Sequence, residues 1–427
     1  MSYQSNGVTV GVTFDFSNGP IFGYGFILDD PAHGILGTNS LADSVASVVD
    51  ISSQVAKIVT KGGYNLVQDQ FEQSTATITV LDPNGDWNPQ NTASPYYGKL
   101  LPLRKIRVFA TYAGKTYYQF SGYTITYNYT YPKDQNIGYV TIDCADAFRL
   151  FNMSNVAAIA GAVDGQDTGT RIATILDSIQ WPASMRNIDT GGTETICQVD
   201  PGTQRTALQA LKNVEFTEQG AFYVSGEGNT VFRSRAYIEG TSGKNPTIFA
   251  NDGSGIPYFN LAFAFDDKLI INQATIQAIG GTAQSASNAT SIATYFPHGR
   301  TQQNLVVKSD TDSQNIANIY VATRATTTIR IDAMTLDLTT PNYAAGITAA
   351  LSLDYFNTVK ITNVGQTTTT GGDSTITKTL QIMGSAMEIT FNTWKITYTT
   401  SEPIVGSFIL DSTIYGVLGS PDAVLSY

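Results

Sequence analysis

Hydrophobic and polar residues alternate with a period of two over much of this chain. The clearest run is Ser74-Thr-Ala-Thr-Ile-Thr-Val-Leu81, with Ala76, Ile78 and Val80 on one face and threonines on the other, the pattern of a half-buried strand. Asp82-Pro-Asn-Gly-Asp86 follows as a tight turn, in which proline fixes one φ and glycine is free to take a positive one. Arg104–Ala110, Thr116–Tyr131 and Tyr139–Cys144 read as further strands, with Ala113-Gly114 turning between the first two. Strands so closely spaced predict a compact barrel or sandwich over residues 61–150. Residues 1–60 precede it as a polar arm with two short strand-like pieces and a helix around Leu41–Val59.

The period changes after residue 150. Ile172, Ile175, Leu176 and Ile179 recur at helical spacing within Thr170–Ile179, and Trp181-Pro182 ends the run; Ala207, Leu208, Ala210 and Leu211 mark a second helix over Thr206–Val214. Ala221–Val224, the turn Gly226–Asn229 and Thr230–Arg233 form a hairpin pattern, so residues 151–248 read as a small α+β domain. Strands return from 249: Ile270–Ala278, Asn304–Val307, Thr327–Leu338, Val359–Thr362, Thr375–Met383 and Thr390–Thr399, interrupted by one helix over Ser313–Arg324. Gly280–Thr290 and Gly365–Asp373 are rich in Gly, Ser and Thr and read as loops. The expected fold is mainly β, with two related tube-like barrel or sandwich domains, 61–150 and 249–400, flanking the α+β module. Residues 401–427 form a C-terminal segment.

A repeat links the two chain ends. Phe26-Ile-Leu-Asp29 is followed after four residues by Gly34-Ile-Leu-Gly37, and Phe408-Ile-Leu-Asp411 after four residues by Gly416-Val-Leu-Gly419. The two copies could dock on equivalent neighbouring surfaces or pair with each other.

Composition narrows the function. Charged residues make up 14% of the chain, well under the roughly 25% of a typical soluble domain. Hydroxyls and amides replace them, and these are cheaper than ions to cover with a neighbour, which favours a protein used inside an assembly. A net charge of -11 argues against a surface that grips phosphates, although it suits one that DNA slides past. Cys144 and Cys197 could form at most one bridge, and Cys144 lies in a strand pattern as a buried reduced thiol. The N-terminus lacks the regions of a signal peptide, and no apolar run is long enough to span a membrane.

The stretch Asp69-Gln-Phe-Glu-Gln-Ser-Thr-Ala-Thr-Ile-Thr-Val-Leu-Asp-Pro-Asn-Gly-Asp-Trp-Asn-Pro89, then Tyr96-Tyr97 and Leu101-Pro-Leu-Arg104, resembles the first domain of actinobacteriophage minor tail proteins. Ser74 stands where that family often has glycine and Trp87 where it often has phenylalanine. Gly169–Asp177, Trp181-Pro182, Arg186–Gly191, Glu218–Gly228 and Val231–Arg235 are similar to the same family, so the stronger matches run from about 69 to 235. The resemblance implies a fold like the baseplate hub of contractile-tailed phages, a trimer whose two barrel-like domains per chain present six tube-like units. It also implies the setting: a virion tail tip, assembled in the host bacterial cytoplasm. Its partners would be further copies of itself, distal tail or tail-tube proteins, the tape-measure protein and a central fibre or spike, with DNA only in transit.

Chemistry has few candidates. His33 lies in the first repeat copy, where the second has Tyr415, and His298 sits in a turn; both read as structural or solvent-facing. Asp82, Asn84 and Asp86 invite a calcium site, but Pro83 and the missing distant acid favour a plain turn. Asp266-Asp267 and Glu215 with Glu218 could be paired carboxylates, yet read as solvated turns and a helix end. Trp87, Tyr96 and Tyr97 look exposed, able to stack on sugar or to seal a loop against a neighbour. No catalytic, cofactor-binding or metal-binding residue is therefore assigned, and an enzyme is not expected. The leading expectation is a tail-tip hub that caps the tail tube, and the alternative is a receptor- or carbohydrate-binding tail protein. If the β-regions ring a channel, its wall should be neutral-polar and acidic, drawing on Thr75, Thr77 and Thr79 and on Thr328, Arg330 and Asp332. In that wall Arg330 must pair with a carboxylate or a neighbouring subunit.

Overall fold

The alternating threonine run lies inside a strand, Gln70–Asp82, at the middle of a large antiparallel sheet in the computed structural model. The structure describes residues 6–16, 48–131, 137–190, 195–241, 243–365 and 374–402; His33, both repeat copies and residues 366–373 lie outside these. The first β-region comprises β1 (Thr9–Asp15), β2 (Val55–Asn65), β3 (Gln70–Asp82), β4 (Lys105–Tyr112), β5 (Lys115–Thr130) and β6 (Gly138–Ala145). They pair in the order β2-β3-β6-β5-β4-β1, and the short strand Val48–Asp50 follows on β1. One face of these strands, including Val10, Val12, Phe14, Ile58, Ile78, Val80, Ile106, Val108, Val140 and Ile142, is buried, as period-two alternation requires.

The helix expected around Leu41–Val59 is absent from the described part of that stretch. Val48–Asp50 is a strand, Ser52–Gln54 a single 3₁₀ turn, and Val55 opens β2. Val48, Val49, Ile51, Val55, Ile58 and Val59 are β-branched and favour extended backbone, and pairing with β1 and β3 completes the preference.

The α+β module follows, with α1 (Phe148–Met153), α2 (Thr168–Ser178), α3 (Ala207–Glu218) and the hairpin β7 (Ala221–Val224) and β8 (Thr230–Arg233). Asp167 caps α2 by accepting from the Thr170 N–H at 2.9 Å, and Thr206 with Gln209 forms a reciprocal capping box on α3. Phe148, Phe151, Ile172, Leu176, Trp181, Leu211 and Phe222 pack as its core.

The second β-region contains β9 (Thr247–Ala250), β10 (Asn260–Ala264), β11 (Gln273–Ala278), β12 (Gln284–Ser287), β13 (Gly299–Leu305), the helix α4 (Asp310–Arg324), β14 (Arg330–Asp337), α5 (Ala344–Ser352), β15 (Thr358–Asn363), β16 (Ile376–Ile389) and β17 (Trp394–Ser401). Strand β12 and the helix Ala289–Tyr295 occupy the segment expected as a Gly/Ser/Thr loop over 280–290. Local capping explains the difference: the Asn288 side chain accepts from the Ser291 N–H at 3.0 Å and starts the helix. Strands β11, β12 and β13 form a separate three-stranded sheet covered by α4. The others run β10-β14-β17-β16, with β15 and β9 alongside the first half of β16.

The two β-regions are one sheet of thirteen strands because the end of β16 pairs antiparallel with β2, from Gly384 opposite Gly63 to Ile389 opposite Ile58. Gly63 has φ +138°, and a Cβ there would collide with the Gly384 Cα and the Met383 carbonyl oxygen. A Cβ on Gly384 would lie 3.0 Å from the Gly62 carbonyl oxygen. Both partners also bulge at this point, between Lys61 and Gly63 and between Ile382 and Gly384. Glycine is thus needed at Gly63, and opposite it Gly384 keeps the approach close.

Two further contacts tie the parts together. Phe71 of β3, Tyr223 of β7 and Tyr355 and Phe356 before β15 form one aromatic cluster, with ring centroids 4.9 Å apart for Phe71–Tyr223 and 5.1 Å for Phe71–Tyr355. Arg324 at the end of α4 donates to the buried Asp69 carboxylate at 2.6 Å, while Arg300 donates to the Val67 and Gln68 carbonyls at 2.9 and 2.8 Å. These bonds fasten the separate sheet to the turn between β2 and β3.

Gly63→Ala should lower stability by about 2–4 kcal/mol, read from chemical denaturation. Gly240→Ala, in the short helix Arg235–Thr241 and with no atom within 4 Å of the added Cβ, should be neutral or slightly stabilising because alanine is the better helix former.

Candidate functional site

Most of the chemically capable side chains are committed to the fold. The Asp82 carboxylate accepts from the Trp87 N–H at 3.3 Å and from the Tyr131 hydroxyl at 3.0 Å, and the Ser94 hydroxyl donates to the Asp86 carbonyl. The 82–86 segment is accordingly a closed turn. Trp87 and Tyr96, expected at the surface, are buried. The Trp87 Nε1–H donates to Gln54 at 2.8 Å, its ring meets Phe14 edge-on at 5.7 Å, and Tyr96 stacks on Phe16 at 4.8 Å. The loop carrying them caps the first core of its own chain, and of the three aromatics only Tyr97 is exposed.

Glu215 and Glu218, read as a helix end, do lie in the last turn of α3 but are buried. α3 turns both inward: Glu215 accepts from Lys212 Nζ at 2.6 Å and from the Phe222 N–H at 2.8 Å, and Glu218 accepts from the Thr168 hydroxyl at 2.8 Å. Burial raises the pKa of both carboxyls and lowers that of Lys212. Asp266 and Asp267 do lie in solvent, but each has a separate partner. Asp266 binds Arg330 at 2.9 Å, and Asp267 binds His298 Nε2 at 3.1 Å. Hydrogen bonds to the Phe296 carbonyl, and after it to Asp267, raise the His298 pKa. Cys144 and Cys197 are free and buried. Among the described residues no three His, Cys, Asp or Glu side chains converge as metal ligands would, and no helix is long and apolar enough to cross a membrane.

What the residues do assemble is a surface. Asp337, Lys395, Glu388, Val59, Thr77, Asp143 and Thr126 stand opposite one another in register across β14, β17, β16, β2, β3, β6 and β5. A second row runs Thr335, Thr397, Ala386, Lys61 and Thr75. Both β-regions therefore share one polar face that crosses the glycine join. Asp143 is held flat on it by the Thr77 and Thr126 hydroxyls at 3.0 Å and the Asn128 amide at 2.9 Å. Lys57 pairs with Glu388 at 2.7 Å across the join. Arg330 is paired as the alternation demanded, with Asp266 at 2.9 Å and Asp332 at 3.1 Å. The face is largely the neutral-polar and acidic mix expected, with bases set into it: Lys395 stands between Asp337 and Glu388, and Lys61 between Ala386 and Thr75.

Where the three parts meet, Lys61, Ser74, Asp146, Arg233, Asp354 and Tyr355 help to line a polar cleft of about 410 Å³. Asp146 sits at its base, accepting from the Ser74 N–H at 2.7 Å and the Phe148 N–H at 3.0 Å. Burial outweighs these two bonds and pushes its pKa up to about 7.

No protein-family model and no curated protein matches the chain by sequence. Solved structures do match by shape. The tail protein from Neisseria meningitidis MC58 superposes with a TM-score of 0.55 over 93% of this chain and 96% of its own, at 10% identity. The chain shares the fold of that tail protein. The 43 kDa tail protein of prophage MuSo2 from Shewanella oneidensis gives 0.53 over 84% and 96%, at 11% identity. The likeness in fold runs through nearly the whole chain.

Asp146 generates a pH signature. An unfolded aspartate ionises near 3.8 and the folded one near 7, so between these values the folded chain holds a proton that the unfolded chain has lost. Its contribution is fully present below pH 4 and is lost as pH rises to 7. Asp146→Asn should flatten the slope of unfolding free energy against pH in that window, whatever its effect on absolute stability.

Proposed function

We propose that this chain is a structural tail-tip protein of a tailed phage, a hub that caps the tail tube and joins it to a central fibre or spike. The observation that carries the reading is the match of a tail-protein fold over 93% of the chain, which supports that use for the whole molecule rather than for one module. The surface chemistry supports it too. A face of threonines, asparagine and alternating charges buries against neighbours at little desolvation cost. It also offers DNA no run of cations through which to release counterions. Two β-regions on one rigid sheet suit a trimer that presents six such units around a channel for DNA and the tape-measure protein. Self-association would bring copies together, and the distal tail or tube proteins would sit above them. The setting is the virion tail tip, assembled in the host bacterial cytoplasm. The burial of Trp87 and Tyr96 removes two of the three aromatics on which a carbohydrate platform would have been built.

Mass measurement on purified tails or recombinant protein should give three times the 45.9 kDa chain; a stable monomer at high concentration, or a hexamer in the particle, contradicts the hub reading. The same preparation should release no product from peptidoglycan or polysaccharide. Turnover abolished by Glu215→Gln or Asp266→Asn, in protein that remains folded, would replace the structural reading with an enzymatic one. Filter binding should also detect no tight, salt-sensitive affinity for duplex DNA.

A further inference from the structure

Strand β10 is the outermost strand at its end of the large sheet among the described residues: β14 pairs with one edge and no described strand with the other. Such edges are usually blunted by charge or proline, because their open amides and carbonyls template pairing. β10 has a bulge after Ala262, Lys395 lies over the Phe259 ring and Arg330 and Asp266 stand at its end, yet several large apolar side chains along it remain exposed. Phe259, Phe263 and Phe265 are 59%, 41% and 72% exposed, and Ile329 beside them is 39% exposed.

This edge lies near the end of the last described strand. Ala264 is opposite Arg330 and Ala333 opposite Thr399, so β10 and β17 run the same way and finish at the same end. The Thr328 hydroxyl donates to Glu402 at 3.1 Å, holding this last described residue next to the start of β14. Pro403 follows and lacks the N–H needed to continue the ladder. From β17 across β14 and β10 to a new strand is three spacings, about 14 Å. Residues 403–407, extended, span about 17 Å, and the next residues are Phe408-Ile-Leu-Asp411.

We propose that β10 is a docking edge and that its occupant is the chain's own C-terminal segment, Phe408-Ile-Leu-Asp411 adding as a strand along Asn260–Ala264. In a strand, Phe408 and Leu410 project to one side and can cover the exposed phenylalanines while the main chain satisfies the open edge, as in peptide recognition by strand addition. Asp411 is the one charged residue in 403–419, so the segment brings little that resists burial. The second repeat copy thereby gains a function, whatever the identity of the protein's neighbours in the particle.

The test uses the full-length chain carrying Ala262→Cys and Ile409→Cys. Mild oxidation should give a disulfide within one chain. The native Cys144 and Cys197 should not compete, since burial raises both thiol pKa values, that of Cys197 to about 12. Hydrogen exchange gives a second readout. In full-length Phe408→Ser/Leu410→Ser, protection of the 260–264 amides should fall at least tenfold while β3 is unchanged. A disulfide between chains would assign the edge to a second copy and overturn the proposal. Unchanged protection in the double variant would overturn it as well.

Discussion

The architecture depends on how closely two strands can approach at Gly63 and Gly384. Each β-region buries one face of its own strands, and a single core cluster contains residues of both. They share that core because β16 leaves β15, bulges, and takes up β2 as its next partner. At that place a side chain on either strand would meet backbone, which cannot yield as the tip of a flexible side chain can. With glycine on both sides the ladder continues, and the polar rows Asp337 to Thr126 and Thr335 to Thr75 align across the join. A register slip of one residue at the join would turn the outward threonines of one region toward the core.

Around that join the chain uses dry contacts and buried charges for different ends. The cluster of Phe71, Tyr223, Tyr355 and Phe356 supplies apolar contact between three parts and tolerates some shape change. The Asp69–Arg324 pair and the Lys212–Glu215 pair are less forgiving. Their charges are out of water, so removing one partner leaves the other uncompensated. Asp69 therefore sets where the separate sheet of β11–β13 sits relative to β2 and β3, and Glu215 sets how the hairpin packs on α3. Each carboxylate is engaged by a neighbouring cation.

The polar face reflects a different constraint. Under the proposed function, a surface covered by neighbours or passed by DNA gains from being neither strongly charged nor greasy. Hydroxyl ladders with compensated ions meet both conditions. Lys57–Glu388 and Arg330 with Asp266 and Asp332 keep cations on the face without making a phosphate-binding track. Arg330 could be recognised beforehand because a lone guanidinium, on a strand with no other basic residue, has to be neutralised locally.

Local pattern determined much of this protein. Alternation in Ser74–Leu81, helical spacing in α2 and α3, and the 221–233 hairpin were legible because each is set by contacts between near neighbours in sequence. The pattern also showed that β3 has one buried face, but a period of two cannot say what buries it. Only the tertiary structure decided that β2 joins β16, that Asp69 meets Arg324 from 255 residues away, and that Trp87, Tyr96, Glu215 and Glu218 point inward. These outcomes follow from which surfaces are brought together. An acid on a helix or an aromatic on a loop has the same local signature whether water or another strand lies above it, and the difference is made by long-range packing.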